Sequence, residues 1–234
     1  MAGPSLRGIA ILSDLPAEAL RELERGCQWH RYERGKQIFD RASLDRDVYF
    51  VVEGRVDIVD YSLTGREVSY ASVAVGGFFG ELAAIDGEPR SASVVAGTPS
   101  VIATLDAAQF RTLLARHPSV AMHVLERLAR IVRSNNERIM DLATLGAVQR
   151  VHREILRLAG GKSVGPVTVD PAPTQSEIAR RAATTRETVA RVVSALRHSG
   201  LVRRKGRAMI VDDPAALGRS VARLSGVLGP KAKA

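Results

Sequence analysis

The chain has a single cysteine, Cys27, in 234 residues. One thiol cannot close an internal disulfide. It cannot ligate an iron–sulfur cluster, which takes about four thiolates, or build a thiolate-rich zinc site. A reducing, cytoplasmic setting is the expectation. Long apolar runs are missing too. The longest uncharged stretches, Val68–Gly80 and Ser91–Leu105, are interrupted by Gly, Ser, Thr or Pro. Both fall short of the ~20 apolar residues of a membrane helix. The N-terminal region offers only Ile9–Leu12 as an apolar run between Arg7 and Asp14, which is no signal-peptide core. Metal and catalytic signatures are equally scarce. His30, His117, His123, His152 and His198 show no H-E-x-x-H or similar ligand spacing. Gly161-Lys162-Ser163 resembles the end of a P-loop, but Leu156 stands where that motif needs its first Gly. Cys27, Trp29 and His30 read as packing. No nucleophile motif or paired-carboxylate constellation is present, so neither catalysis nor a bound metal is expected.

What is present is positive charge, unevenly placed. The formal net charge is +9. Residues 1–145 hold 17 Lys and Arg against 19 Asp and Glu, a net −2, while residues 146–234 hold 17 against 6, a net +11. Such an excess suggests a polyanionic partner, nucleic acid or an acidic membrane surface. Its confinement to the last third predicts two domains with different partners. Hydrophobic residues make up 45%, enough for a core in each.

The patterning divides in the same way. An amphipathic helix is predicted at Pro16–Arg25. From Gln28 to Asp106 short β-type runs alternate with turn residues: Val48–Glu53, Gly54 and Arg55–Tyr61 read as a hairpin, with further strands at Glu67–Val75 and Val101–Asp106. Many short strands at regular spacing suggest a small barrel or sandwich. Helical periodicity then takes over, with a short helix at Ala107–Ala115 and a long one at Ser119–Leu145. The long one places Leu125, Leu128, Val132, Asn135, Ile139 and Leu142 at alternating spacings of three and four, a coiled-coil seam apolar except at Asn135. Gly146 interrupts a pattern that resumes over Val148–Leu158. A glycine there costs about 1 kcal/mol relative to Ala in a helix and marks a hinge. A short basic tail, Lys231–Ala234, ends the sequence.

Between the strands, residues 79–94 place Glu81 and Arg90 among apolar and small residues. Two readings are open from these residues alone: a surface turn, or an anion site. In the second, Gly80 lets backbone approach a ligand, a following short helix aims N–H groups at a phosphate, Arg90 offers a fork for phosphate oxygens, and Glu81 accepts from a ribose hydroxyl. The combined F-G-E-L and P-R-S pattern resembles the phosphate-binding cassette of cyclic-nucleotide-binding domains. Over residues 10–215 the chain is similar to the catabolite activator protein and fumarate–nitrate regulator superfamily of bacterial transcription regulators. The resemblance implies an α+β fold in three parts: a cyclic-nucleotide-binding β-roll with flanking helices over 1–118, a dimerisation helix over 119–145, and a winged helix-turn-helix over 146–234. It also implies that Glu81 takes the ribose 2′-hydroxyl and that Arg90 and Ser91 bind the cyclic phosphate, with backbone from Gly80, Leu82 and Ala92. Adenine contacts in the family come from adjacent polar residues of the dimer helix, here Asn135 and Asn136 in place of Thr-Ser. A carboxamide both donates and accepts, so cyclic AMP is the expected effector and cyclic GMP the alternative. Asn135 also fits a plain register-fixing role in the seam.

Residues 174–199 carry the second motif. Thr174…Glu177 and Thr184…Glu187 both have capping-box spacing, which predicts two helix starts ten residues apart. Ile178 and Ala182 form the inner face of the first helix; Val189, Val193 and Leu196 form that of the second. This is a helix-turn-helix whose second helix enters the major groove, with Ala183 where the turn usually carries Gly. The resemblance assigns base reading to the run Arg186-Glu187-Thr188-Val189-Ala190-Arg191 and counts Thr185, just before it, among the DNA-binding residues. Arg186 and Arg191 would each fork onto guanine and Glu187 would accept from cytosine, on TGTGA-like half-sites arranged as an inverted repeat. The competing structural role, a Glu187–Arg191 surface pair worth only ~0.3–0.5 kcal/mol, gives no reason for the basic excess. Leu201–Arg204 and Ala208–Val211 read as a wing. Its tip residues Lys205 and Arg207, with Thr174, Gln175 and Ser176, are expected to touch phosphates.

Together these features predict a cyclic-nucleotide-gated, homodimeric regulator of double-stranded DNA, with no membrane partner, and by resemblance a contact with RNA polymerase. Two alternatives stand beside it: a DNA-binding regulator answering to a cyclic dinucleotide or to no ligand, and a cyclic-nucleotide-binding subunit that controls a protein partner.

Overall fold

A computed structural model describes residues 4–61, 67–161 and 165–224. Lys162, Ser163 and the Lys231–Ala234 tail lie outside them. The chain forms two compact units, Met1–Val132 and Arg133–Ala234.

The first unit opens with two 3-10 turns, Leu6–Gly8 and Ala10–Leu12, and helix α1 (Ala17–Gly26). The strands are β1 (Gln28–Tyr32), β2 (Gln37–Phe39), β3 (Val48–Glu53), β4 (Arg55–Tyr61), β5 (Glu67–Ala74) and β6 (Phe78–Phe79). Helix α2 (Glu81–Asp86), β7 (Ser93–Ala96), β8 (Ser100–Leu105) and α3 (Ala107–Arg116) follow. Two four-stranded antiparallel sheets result, ordered β1-β8-β3-β6 and β2-β7-β4-β5. Strand β8 is buried at every residue because it runs between β1 and β3 with a sheet face on one core and helices on the other. Alternate residues of β3 and β8 serve two clusters. Val48, Phe50, Ala103 and Leu105 pack with Phe110 and the N-terminal turns, and Tyr49, Val51 and Ile102 pack with Phe39, Val56, Phe79 and Val94.

The expected hairpin across Gly54 does not form. Both strands have the predicted bounds, but β3 and β4 belong to different sheets. Gly54 turns the chain from one to the other at φ +81°, where a Cβ would lie 2.3 Å from the Pro99 carbonyl oxygen. The crowding explains the crossing: Ser100, at the start of β8, takes the place a pairing strand would need. The hairpin in this stretch is β4–β5.

Helix α4 (Pro118–Thr144) starts at a proline, one residue before the expected Ser119; the proline's fixed φ and missing N–H suit a first helical turn. Leu125, Val132, Ile139 and Leu142 are more than half exposed on it, and Leu128 packs against the first unit's core.

The second unit contains α5 (Ala147–Leu158), β9 (Val167–Val169), α6 (Gln175–Arg181), α7 (Arg186–His198), β10 (Val202–Lys205), β11 (Ala208–Val211) and α8 (Pro214–Leu224). Its core joins Val151 and Ile155 of α5 to Ile178, Val189, Leu196, Val211 and Leu217. The wing is a three-stranded sheet, β10-β11-β9, turned at Gly206 with φ +59°. Strand β9 escaped the sequence reading because its three residues are too few to show a period.

Candidate functional site

The Gly80 backbone is left-handed, φ +84°. A Cβ there would lie 2.8 Å from both Arg90 Nη1 and the Asp47 carbonyl oxygen, so conformation and space both require glycine. The gap is filled by the guanidinium of Arg90, whose side chain is only 2% exposed. Nη1 donates to the Gly80 carbonyl at 2.9 Å. Nη2 donates to the Asp47 carbonyl at 2.8 Å and to Asp45 Oδ2 at 2.5 Å. The group also lies over the Phe39 ring, 4.3 Å from its centroid, with Tyr49 at 5.4 Å. A buried guanidinium without a counter-charge would be prohibitive, and Asp45 supplies one. Burial works to raise the Asp45 carboxyl. Hydrogen bonds from the Tyr49 hydroxyl, the Asp47 N–H and Arg90 outweigh it and hold the group below the usual carboxylate range. Burial and the Asp45 contact push the Tyr49 phenol upward, so it stays a donor. One polar atom is left over: Arg90 Nε is buried and has no partner.

Glu81 opens α2 and is 5% exposed. Burial raises its pKa, and the charges of Arg127 and Arg90 pull against that rise without cancelling it. Arg127 comes from α4. It lies over the Phe78 ring, donates to the Phe78 carbonyl at 2.8 Å and leaves its own Nε buried and unpartnered. Leu82 and Ser91 are exposed while Ala92 is buried. The fold thus brings Gly80, Glu81, Arg90 and Ser91 to one place, with the carboxylate and the guanidinium both inside. Asn135 and Asn136 lie exposed on α4, in the second compact unit. Asp45, Tyr49, Phe39 and Arg127 were not anticipated. Asp45-Arg46-Asp47 has the look of a solvated loop, and no spacing rule connects it to a residue 45 positions away. Among the described residues no cluster of His, Cys, Asp or Glu could hold a metal ion, and no helix is long and apolar enough to cross a membrane.

In the second unit Thr174 caps α6 in a reciprocal box: its hydroxyl accepts from the Glu177 N–H at 3.1 Å, and Glu177 accepts from the Thr174 N–H at 2.6 Å. The second box is displaced. Thr185, not Thr184, caps α7 and accepts from the Thr188 N–H at 3.2 Å. Thr184 is buried, its N–H bound to the Ala179 carbonyl, so it belongs to the turn. Glu187 is held below its ordinary pKa by its own backbone N–H and by the Thr185 hydroxyl. Val192 is the fully buried residue of the α7 inner face beside Val189 and Leu196, and Val193 is half-buried. Arg186, Glu187 and Arg191 are exposed in the first turns of α7, as are Ser176, Lys205 and Arg207. Arg207 Nε reaches Asp170 at 3.0 Å across the wing, and Gln175 is half-buried. Ala183 has φ +48°, the left-handed geometry that the turn requires and that glycine usually supplies.

Two family models match these two regions. The cyclic nucleotide-binding domain matches residues 29–117 and the Crp-like helix-turn-helix domain matches residues 149–220. A CRP-like cAMP-activated global transcriptional regulator of Mycobacterium tuberculosis is 28% identical over 212 residues, covering 89% of this chain and 95% of its own. The catabolite activator protein of Thermus thermophilus is 30% identical, with a TM-score of 0.52 over 91% of this chain and 98% of that one. A CooA mutant from Carboxydothermus hydrogenoformans, 18% identical, shares the fold with a TM-score of 0.77 over 94% of this chain and 97% of its own. These likenesses each cover about nine-tenths of the chain, and the Mycobacterium tuberculosis relative is named as a transcriptional regulator, not an enzyme. The chain belongs to the catabolite activator protein and fumarate–nitrate regulator superfamily, a transcription regulator that joins a cyclic-nucleotide-binding domain to a DNA-binding helix-turn-helix.

Proposed function

We propose that this regulator is a cytoplasmic homodimer that binds an inverted repeat of TGTGA-like half-sites when loaded with cyclic AMP, with cyclic GMP as the competing effector. The observation that carries the reading is Arg90 Nε, a buried donor without a partner in a guanidinium whose two terminal nitrogens are bound to Gly80, Asp47 and Asp45. Buried donors are rarely left unsatisfied in folded proteins, and a cyclic phosphate oxygen is the acceptor this one suits. Ser91, with the backbone of Gly80, Leu82 and Ala92, completes the phosphate's surroundings. Glu81 accepts the ribose 2′-hydroxyl, and Asn135 and Asn136 meet the base. The exposed apolar residues of α4 support dimerisation through residues 119–145, which divides the chain functionally into a sensor over 1–118 and a reader over 146–234. In the reader, Arg186, Glu187 and Arg191 contact bases, and Thr174, Gln175, Ser176, Thr185, Lys205 and Arg207 contact phosphates. Gly146, between α4 and α5, is the hinge through which ligand binding sets the spacing of two recognition helices at successive major grooves, about 34–36 Å. Once bound, the dimer engages RNA polymerase.

Titration calorimetry with cyclic AMP, cyclic GMP and a cyclic dinucleotide tests the effector. Saturable heat from a mononucleotide, abolished by Arg90→Lys and weakened by Ser91→Ala, is expected. Heat from the dinucleotide alone, or from none, overturns it. DNA binding that is blind to sequence and insensitive to salt would instead favour a subunit acting on a protein partner.

A further inference from the structure

The turn of the helix-turn-helix carries a conformational liability. Helix α6 ends at Arg181, and its last carbonyls have no partners within the helix. Ala183 then adopts φ +48°, a backbone that a Cβ-bearing residue disfavours. Across the turn the Thr184 N–H reaches the Ala179 carbonyl at 3.0 Å and the Ala183 N–H reaches the Arg180 carbonyl at 3.3 Å.

A side chain from a different helix completes it. Arg150 lies on the first turn of α5 and is half-buried. Its Nε donates to the Ala182 carbonyl at 2.9 Å and its Nη2 to the Ala183 carbonyl at 3.0 Å. Its Nη1 donates to the Leu145 carbonyl at 2.8 Å, in the two-residue connection between α4 and α5. One guanidinium therefore satisfies both carbonyls of the strained turn and ties them to the hinge that leads into the reader. Only a planar group with donors on three nitrogens can do this; a lysine ammonium is a point charge on a single stem. A cation is also favoured at the negative end of α6.

We propose that Arg150 is a positioning residue for DNA recognition: it locks the turn that aims α7 to the α4–α5 connection, so that operator affinity depends on a side chain that touches no DNA. The proposal rests on the reading of α7 as the recognition helix. It makes the absence of glycine at position 183 intelligible, because the brace holds the left-handed alanine in place. It also gives the hinge a direct route to the recognition helix: a change in the direction of the Leu145 carbonyl reaches Ala182 and Ala183 through one rigid side chain.

The test uses the full chain saturated with cyclic AMP and a duplex bearing an inverted repeat of TGTGA half-sites, with a scrambled duplex as control. Affinities are measured across a salt series for the wild type, Arg150→Lys, Ala183→Gly and the double variant. Arg150→Lys is expected to lose about tenfold in operator affinity and less than twofold on the scrambled duplex, with the slope of log affinity against log salt unchanged. Ala183→Gly should restore at least threefold of the loss, because glycine adopts the turn without the brace. Unchanged operator affinity overturns the proposal. So does a salt slope reduced by about one, which would make Arg150 a phosphate contact. Equal losses on both duplexes also overturn it. If Arg150→Lys fails to fold, the double variant is read in its place; failure of that variant too would make Arg150 a structural requirement of the whole unit and not a positioning residue. Failure of the wild type to discriminate the two duplexes would instead overturn the operator reading.

Discussion

Asp45 stands where the ligand's charge would be felt, and replacing it tests the phosphate reading at its centre. In Asp45→Asn the side-chain volume is kept and the amide oxygen still accepts from the Asp47 N–H, but the NH2 group then replaces the oxygen that accepts from Tyr49 and Arg90, and Arg90 loses its counter-charge. Breaking a fully buried ion pair costs about 3–5 kcal/mol, whereas an exposed pair is worth ~0–1. Arg90 is 2% exposed and Asp45 30%, which places the loss between these limits, at about 2 kcal/mol. At roughly 3–4 °C per kcal/mol for a unit of this size, the sensor's thermal midpoint should drop by about 6–8 °C. The comparison belongs at neutral pH. A carboxyl whose folded pKa lies below the unfolded value contributes its full stability above the unfolded pKa, near 3.8, and loses it only as pH falls through the folded one. With cyclic AMP bound, the phosphate supplies negative charge to the same guanidinium. The deficit should then shrink by about 1 kcal/mol. By linkage the variant binds the nucleotide about fivefold more tightly than the wild type. Scanning calorimetry with and without nucleotide, paired with titration, reads both quantities. An equal loss of stability in the two states, or weaker binding by the variant, would show that Asp45 orients Arg90 and does not stand in for the phosphate.

Three further outcomes follow from the same geometry. Gly80→Ala places a Cβ at 2.8 Å from Arg90 Nη1 and the Asp47 carbonyl on a left-handed backbone. It should weaken nucleotide binding at least tenfold in titration while leaving DNA binding by the isolated reader chemistry, measured as affinity for scrambled duplex, within twofold. Arg186→Ala should cost about 1–3 kcal/mol on the operator and relax preference at one base position in a competition against single-base variants; equal loss at every position would mark Arg186 as a phosphate contact. His152, buried with Nδ1 3.0 Å from Ser220 Oγ, has its pKa lowered from 6.5 by burial. Its neutral form is the one that folds, so its contribution is complete above pH ~6.5 and is lost as pH falls toward the lower folded value. Between pH 7.5 and 5.5 the wild type should lose more thermal stability than His152→Gln.

The elements of this chain were legible where local chemistry decides them and obscure where distant residues do. Strands β3 and β4 could be bounded to the residue from alternation and Gly54, yet their pairing could not, because Gly54 is forced into its crossing by Pro99 and Ser100, which the local pattern does not contain. Thr174 was readable as a cap because the box is a contract between neighbours. At the second helix Thr184…Glu187 has the box spacing, but Thr184 is buried in the turn and Thr185 caps the helix in its place. The candidate ligand site divides in the same way. Glu81 and Arg90 stand in one short segment and announce themselves as charges among small residues. The groups that let them be buried, Asp45 and Tyr49 for Arg90 and Arg127 for Glu81, arrive from another strand, a loop and a helix. A buried charge in a sequence therefore predicts that a partner exists without saying where, and the partner's identity determines how the charge can be used. Here Arg90 is held from two nitrogens and open at the third. A guanidinium so arranged is anchored in the fold by its terminal nitrogens and still presents a buried donor, Nε, without a partner.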